Sequence, residues 1–317
     1  MRTMLTAAVV GVTALGALAI AQPKGRLNPM IDLLEQKKPV FGLYAPSAPR
    51  GGRGRATAPA PVTTPADLAK EALAYEPYDI LFSGAMERNF DAGYASFAQF
   101  VGELAKSPAR LKHPLVTKIP GIADDPAKAI DNISRQLNLG VSTIVFVDVE
   151  SADEVRQGLA AMRFKAQGGT RPDRVGTAPA YWGLTEQEYR AKADLWPVNP
   201  NGELVNWSIV ESKAGLANIR EIAAVKGVGV LFPGAGTLRG VFTTVNQDGE
   251  RIFDEAGWEG AIQQVLAACK EFNIACGYPA TEKDIELRMK QGFSVFIINW
   301  GEAGFRTVEI GRKAGGR

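Results

Sequence analysis

Several polar residues stand where apolar runs end, and their types allow proton or cation chemistry. Glu211 follows the largely apolar run 207–210, and a carboxylate in that place can ligate a hard cation or act as a general base. The alternative reading is an ion pair with Lys213 or Lys118. Glu87 and Arg88 lie in Ser83-Gly84-Ala85-Met86-Glu87-Arg88 after a second run, and Thr117-Lys118 closes a third. Asp148 and Glu150 follow a fourth, and Ser212 comes directly after Glu211. A sixth run leads into Pro233-Gly234-Ala235-Gly236-Thr237. Its glycines permit close backbone approach to a carboxylate or phosphate, although a tight turn explains them equally and no dinucleotide fingerprint is present.

The remaining composition narrows the chemistry. One histidine, His113, and two cysteines, Cys269 and Cys276, cannot build a structural zinc site or a metal site of several imidazoles, so any metal is held by oxygen. Lys+Arg 36 against Asp+Glu 34 is too balanced to make nucleic acid or an anionic surface the main partner, which leaves a small-molecule substrate. A hydrophobic share of 46% excludes a disordered chain and supports a large core. The cysteines fall in a predicted helix and a predicted strand, and two buried free thiols are expected.

The elements that must position these residues alternate. Eight β-branched or apolar runs, at 40–44, 78–82, 115–119, 143–147, 205–211, 229–233, 274–277 and 294–299, predict strands buried on both faces. Segments 66–75, 95–105, 126–137, 152–164, 216–225, 258–272 and 282–291 have apolar spacings of three and four and predict helices. This pattern predicts a single (β/α)8 TIM barrel over residues 22–317, with a doubly wound sheet as the runner-up. Catalytic groups of such a barrel sit at the C-terminal ends of its strands, where the polar residues above fall.

Residues 5–21 (LTAAVVGVTALGALAIA) are uncharged, follow Arg2 and end in a small-x-small pattern, which predicts a signal peptide cleaved before Gln22 and a periplasmic or secreted protein. A retained membrane anchor is the alternative; after cleavage no membrane contact is expected. A Gly/Ala/Pro-rich stretch at 46–65 predicts a flexible insertion near the barrel mouth. Residues 168–202, with Trp182 and Trp196, are expected to shape a substrate pocket. The glycosylation triplets at Asn132 and Asn206 lie in predicted regular structure and are read as chance.

Asn28-Pro29-Met30, Lys38-Pro39-Val40-Phe41-Gly42 and Met86-Glu87-Arg88, together with Val149-Glu150-Ser151-Ala152-Asp153, open a pattern that continues in Ile209-Val210-Glu211-Ser212 and Phe232-Pro233-Gly234-Ala235-Gly236-Thr237. Over nearly the whole mature chain this resembles the HpcH/HpaI aldolase and citrate-lyase-type superfamily of metal-dependent carbon–carbon lyases. The resemblance implies a divalent cation, Mg2+ or Mn2+, held by a glutamate and an aspartate. It also implies a keto acid bound through that metal, an arginine and backbone amides, and a histidine–aspartate proton relay. Glu211 matches the glutamate, but Thr237 replaces the aspartate, Arg88 stands at or beside the histidine, Lys118 or Thr117 replaces the arginine, and Asn138 replaces an aspartate. Threonine is a weaker ligand for a hard cation unless Asp148 or Glu150 compensates, and a guanidinium cannot act as a base near neutral pH.

The leading expectation is therefore an exported aldolase-like lyase that stabilises an enolate. In it Glu211 binds metal, Lys118 balances the substrate carboxylate, Glu87 and Arg88 complete the catalytic group, and Pro233, Gly234, Ala235 and Thr237 line the substrate. The alternatives are a metal-independent enzyme in which Arg88 and Lys118 supply the positive charge, acting on a different acid or aromatic substrate, and a barrel that binds a carboxylate without turnover. The resemblance also implies a homo-oligomer associating through the last helix, although only residues 301–317 follow the last run.

Overall fold

A computed structural model of the chain describes residues 25–47 and 63–317. The expected signal peptide and most of the 46–65 insertion lie outside the described residues. The strands are β1 (Val40–Tyr44), β2 (Ile80–Ser83), β3 (Leu115–Lys118), β4 (Thr143–Phe146), β5 (Val205–Val210), β6 (Val228–Pro233), β7 (Thr243–Val245), β8 (Arg251–Phe253), β9 (Ala275–Pro279) and β10 (Val295–Ile298). All but β7 and β8 form one closed parallel barrel in the order β1-β10-β9-β6-β5-β4-β3-β2, so the (β/α)8 expectation holds and the doubly wound sheet is set aside.

Alternation along each strand sends one set of side chains to the barrel axis and the other beneath the helices. The axial set, including Val40, Ile80, Phe82, Val116, Val145, Trp207, Phe232, Val295 and Ile297, forms one buried cluster with Met30, Ile31 and Leu34 of the helix Pro29–Glu35. That helix starts at an Asn28 cap whose side chain accepts from the Met30 N–H, and its apolar face closes the N-terminal end of the barrel. Farther up, the Trp207 indole stacks between Phe82 (6.2 Å) and Phe232 (6.3 Å). Gly277 makes room for this arrangement, since a Cβ there would lie 1.9 Å from the Phe232 ring. The barrel is thus a packed core, and chemistry is confined to its rim.

The structure corrects several expectations. Thr243–Val245 and Arg251–Phe253 pair as an antiparallel hairpin that the strand count did not include. The helix expected at 216–225 breaks at Asn218 into Lys213–Ala217 and Ile219–Ala223, where the Asn218 side chain donates to the Glu150 carbonyl (2.8 Å). Residues 168–202 contribute to a pocket, but at the N-terminal end of the barrel. They follow the helix Ala152–Met162, which has already carried the chain to the N-terminal end, and Trp196, Pro197 and Val198 line a cleft there with Gly229, Ala275 and Ser294. Cys269 and Cys276 form a disulfide rather than two free thiols, because the helix Glu255–Glu271 lies against β9 with their Cα atoms 5.6 Å apart. Asn132 and Asn206 are buried, in keeping with triplets that match an acceptor by chance.

The last helix, Glu302–Ala314, packs on its own barrel. Its Val308 is fully buried, Gly311 lies against Phe41, and the Arg317 guanidinium donates to both carboxylate oxygens of Asp79 (2.7 and 2.8 Å). Among the described residues no helix is long and apolar enough to cross a membrane.

Candidate active site

Two groupings form at the C-terminal ends of the strands. In the first, Lys118 at the end of β3 donates from Nζ to Oε2 of Glu87 in the loop after β2, at 3.0 Å. Their side chains are 14% and 31% exposed, so the pair is largely shielded from solvent yet open on one side. Gly84 lies beside the pair: a Cβ there would lie 3.8 Å from Lys118 Cδ, 3.8 Å from the Tyr44 ring and 3.9 Å from Glu87 Oε2, all ordinary contact distances. Tyr44 ends β1, stacks edge-on against Phe82 (4.8 Å), and has its hydroxyl pKa pushed up by burial and then by the Glu87 charge. The phenol therefore stays protonated and can donate.

The end of β3 is fixed from behind. Gln136, in the helix Pro126–Leu137, donates to the Lys118 carbonyl (3.0 Å) and accepts from the Thr117 hydroxyl. Thr117 is fully buried and faces that helix, so of the two residues considered for the substrate-facing cation only Lys118 reaches the mouth.

In the second grouping Glu211 follows β5 and is 6% exposed. Its Oε1 accepts the Asp148 backbone N–H (3.1 Å), and it makes no ion pair among the described residues, so the alternative pairing with Lys213 or Lys118 does not form. Gly234 lies against it, held by its N–H to the Val210 carbonyl (2.9 Å). Beside Glu211, Asp148 has a left-handed backbone (φ 52°), and its carboxyl pKa is raised by burial, then by Glu150 and Asp124. Glu150 accepts from the Ser212 hydroxyl (2.6 Å) and gives its own N–H to Glu154 (3.0 Å).

Other expected residues take different places. Ala235 is buried, with its carbonyl accepting from the Trp258 indole (2.8 Å), whereas Thr237 is exposed on the helix Ala235–Val241. Arg88 does not join Glu87 and Lys118; it lines a cleft of about 260 Å3 with Phe90, Pro120, Asp124, Lys128 and Asn132. Asn138 is not at the site, because it caps the far end of the helix Pro126–Leu137 and accepts from the buried Arg171 (3.0 Å). Tyr44 and Gln136 were missed by sequence reasoning. Period-two counting along β1 was available for Tyr44, whereas nothing local marked Gln136.

Eight parallel strands with their helices, and an ion pair and a buried carboxylate at the strands' C-terminal ends, define a (β/α)8 barrel with its polar groups at the mouth. The chain belongs to the HpcH/HpaI aldolase/citrate lyase family, whose model matches residues 111–302, and it is a carbon–carbon lyase by that membership. It is 24% identical over 251 residues to a hydroxypyruvate/pyruvate aldolase of Paraburkholderia phytofirmans, covering 79% of this chain and 82% of that one. Among solved structures it resembles a family protein from Burkholderia cenocepacia (TM-score 0.63, 21% identity, 90% of this chain and 97% of that one). It also resembles the CitE protein of Mycobacterium tuberculosis in complex with magnesium and acetate (TM-score 0.51, 14% identity, 89% and 92%).

The family implies a divalent cation, and the donor set here does not fit one. Glu211 is the single carboxylate carried over, and its Oε1 already takes an N–H. Thr237 is neutral, and the charges that act on Asp148 are the carboxylates Glu150 and Asp124. Among the described residues no group of three or more His, Cys, Asp or Glu could hold a metal. One carboxylate leaves a hard cation weakly bound.

Proposed function

We propose that the chain is an aldolase that breaks or forms the carbon–carbon bond beside the keto group of a 2-keto acid. The Lys118–Glu87 pair at the barrel mouth carries this reading. Lys118 supplies a fixed positive charge where negative charge develops, and Glu87 lies within one hydrogen bond to take or return the proton. Gly234 and the backbone of Pro233 and Ala235 form the wall against which a small carboxylate can lie, and the Thr237 hydroxyl borders it. Glu211 supplies a buried anion able to accept a proton, and Arg88 places a further cation at the outer rim. Relatives named as hydroxypyruvate/pyruvate aldolases support a short keto acid as the shared product.

The test is release of pyruvate, hydroxypyruvate or glyoxylate from a panel of 4-hydroxy-2-keto acids by the purified chain. Release by the wild type and its loss in Glu87→Gln agree with the reading; no release from any member contradicts it.

Two further parts of the reading rest on sequence alone. The apolar run at 5–21 supports export to the periplasm or medium, which fractionation checks. The family resemblance supports a homo-oligomer. Since Glu302–Ala314 already packs on its own barrel, a swapped last helix is not needed for folding. Light scattering at micromolar concentration reporting a monomer contradicts the oligomer.

A further inference from the structure

We infer that Lys118 is an imine-forming lysine: its amine condenses with the keto carbon of the substrate, and the resulting iminium takes the electron-accepting role that the donor set does not offer a metal. The inference rests on the keto-acid lyase reading above and adds to it the identity of the electron sink.

Cleaving the bond between the third and fourth carbons of a 4-hydroxy-2-keto acid leaves an electron pair on the third carbon. That pair needs a sink at the second. A polarised carbonyl serves if a cation holds its oxygen, and a protonated imine serves without one. Here Glu211 is the one carboxylate carried over and Thr237 is neutral and exposed, so among the described residues the first route lacks its ligands. The second has its parts in one place. The Lys118 side chain lies at the barrel mouth, 14% exposed, with its β3 carbonyl clamped by Gln136. Glu87 Oε2 at 3.0 Å is placed to relay the Lys118 proton as the nitrogen attacks a carbonyl. Tyr44 borders the same space around Gly84, where its hydroxyl can donate.

The step balances. The Lys118 Nζ lone pair adds to the keto carbon, and Glu87 returns the ammonium proton to the carbinolamine hydroxyl, which leaves as water to give a protonated imine and the Glu87 carboxylate. The bond between the third and fourth carbons then breaks. Its electron pair moves into the carbon–nitrogen double bond to give an enamine, and the 4-hydroxyl proton passes to Glu87, so that the fourth carbon leaves as an aldehyde. The enamine regains a proton at the third carbon. Water then hydrolyses the imine, releasing the short keto acid and the free lysine. One water leaves and one returns, with no oxidant or reductant.

Borohydride trapping tests this directly. The full-length protein is incubated with pyruvate and sodium borohydride in EDTA, digested and mapped by mass spectrometry. A carboxyethyl group on the Lys118 peptide is expected, with complete loss of that label in Lys118→Arg, which keeps a cation beside Glu87 but cannot form the imine. No label, or label on other lysines that persists unchanged in Lys118→Arg, overturns the inference. Retro-aldol release is measured on untreated enzyme in parallel. Release without label overturns the imine and leaves the lyase reading standing, whereas label without release from any panel member supports the imine and contradicts that reading.

Discussion

Gly234 and Glu211 are packed so closely that a Cβ on the glycine would lie 2.3 Å from the Glu211 Cβ and 2.6 Å from its Oε2. The glycine after β6 therefore sets where the carboxylate after β5 can stand. A tight turn alone gives no reason for that contact. Gly234→Ala must displace the Glu211 side chain and disturb its bond from the Asp148 N–H. Overpacking of this kind costs about 1–3 kcal/mol. Pyruvate release should fall at least about tenfold while thermal melting shows a folded protein, and unchanged release would show that the position of Glu211 is unimportant.

Glu211 itself can be probed without changing its volume. Glu211→Gln keeps an oxygen that can accept the Asp148 N–H and removes only the charge. If Glu211 moves a proton, turnover should drop about 100-fold or more with little change in melting temperature, in line with general acid–base contributions. Full activity in the variant would assign Glu211 a structural role.

Thr237 gives a prediction about metal. Because it is exposed, an added carboxylate costs little stability, and Thr237→Asp offers a second anionic ligand at the position where the family resemblance implies one. Titration calorimetry should show weak Mg2+ or Mn2+ binding by the parent and binding at least about tenfold tighter by the variant. Equal affinity in the two would mean that Thr237 does not face Glu211.

A pH effect follows from His113. Its ring stacks on Tyr78 at 3.8 Å, both ring nitrogens are buried without hydrogen-bond partners among the described residues, and burial, with Lys112 nearby, pushes its pKa down to about 4. The folded protein thus holds the neutral form, while the unfolded chain takes up a proton near the ordinary value of about 6.5. Stability is fully present above that value and is lost as pH falls toward the folded pKa, by up to about 3 kcal/mol. Denaturant midpoints of the wild type and His113→Phe should therefore diverge below pH ~6 in favour of the variant. Parallel curves would contradict this.

Much of the barrel was legible because both faces of its parallel strands are buried, so β1, β3 and β6 appear as apolar runs regardless of their partners. The hairpin Thr243–Val245 and Arg251–Phe253 was not, since its short strands are largely exposed and carry no such run. Of the site, Glu87, Lys118, Glu211 and Gly234 were read from their places after strands. Which residues pair was not readable: Lys118 at the end of β3 meets Glu87 from the separate loop after β2, and Glu211 takes a backbone N–H instead of a cation. Which end of the barrel residues 168–202 reach was not readable, because it depends on the length of the helix Ala152–Met162 that precedes them.

The most direct test of the central claim is the rate of pyruvate release from 4-hydroxy-2-keto acids by the purified chain in excess EDTA, with Lys118→Arg alongside. The Lys118–Glu87 account predicts that the wild type keeps its full rate in EDTA and that the variant loses turnover by at least about 1,000-fold, the scale expected when a covalent nucleophile is removed. A wild-type rate abolished by EDTA and restored by Mg2+ or Mn2+, with Lys118→Arg still active, would contradict it.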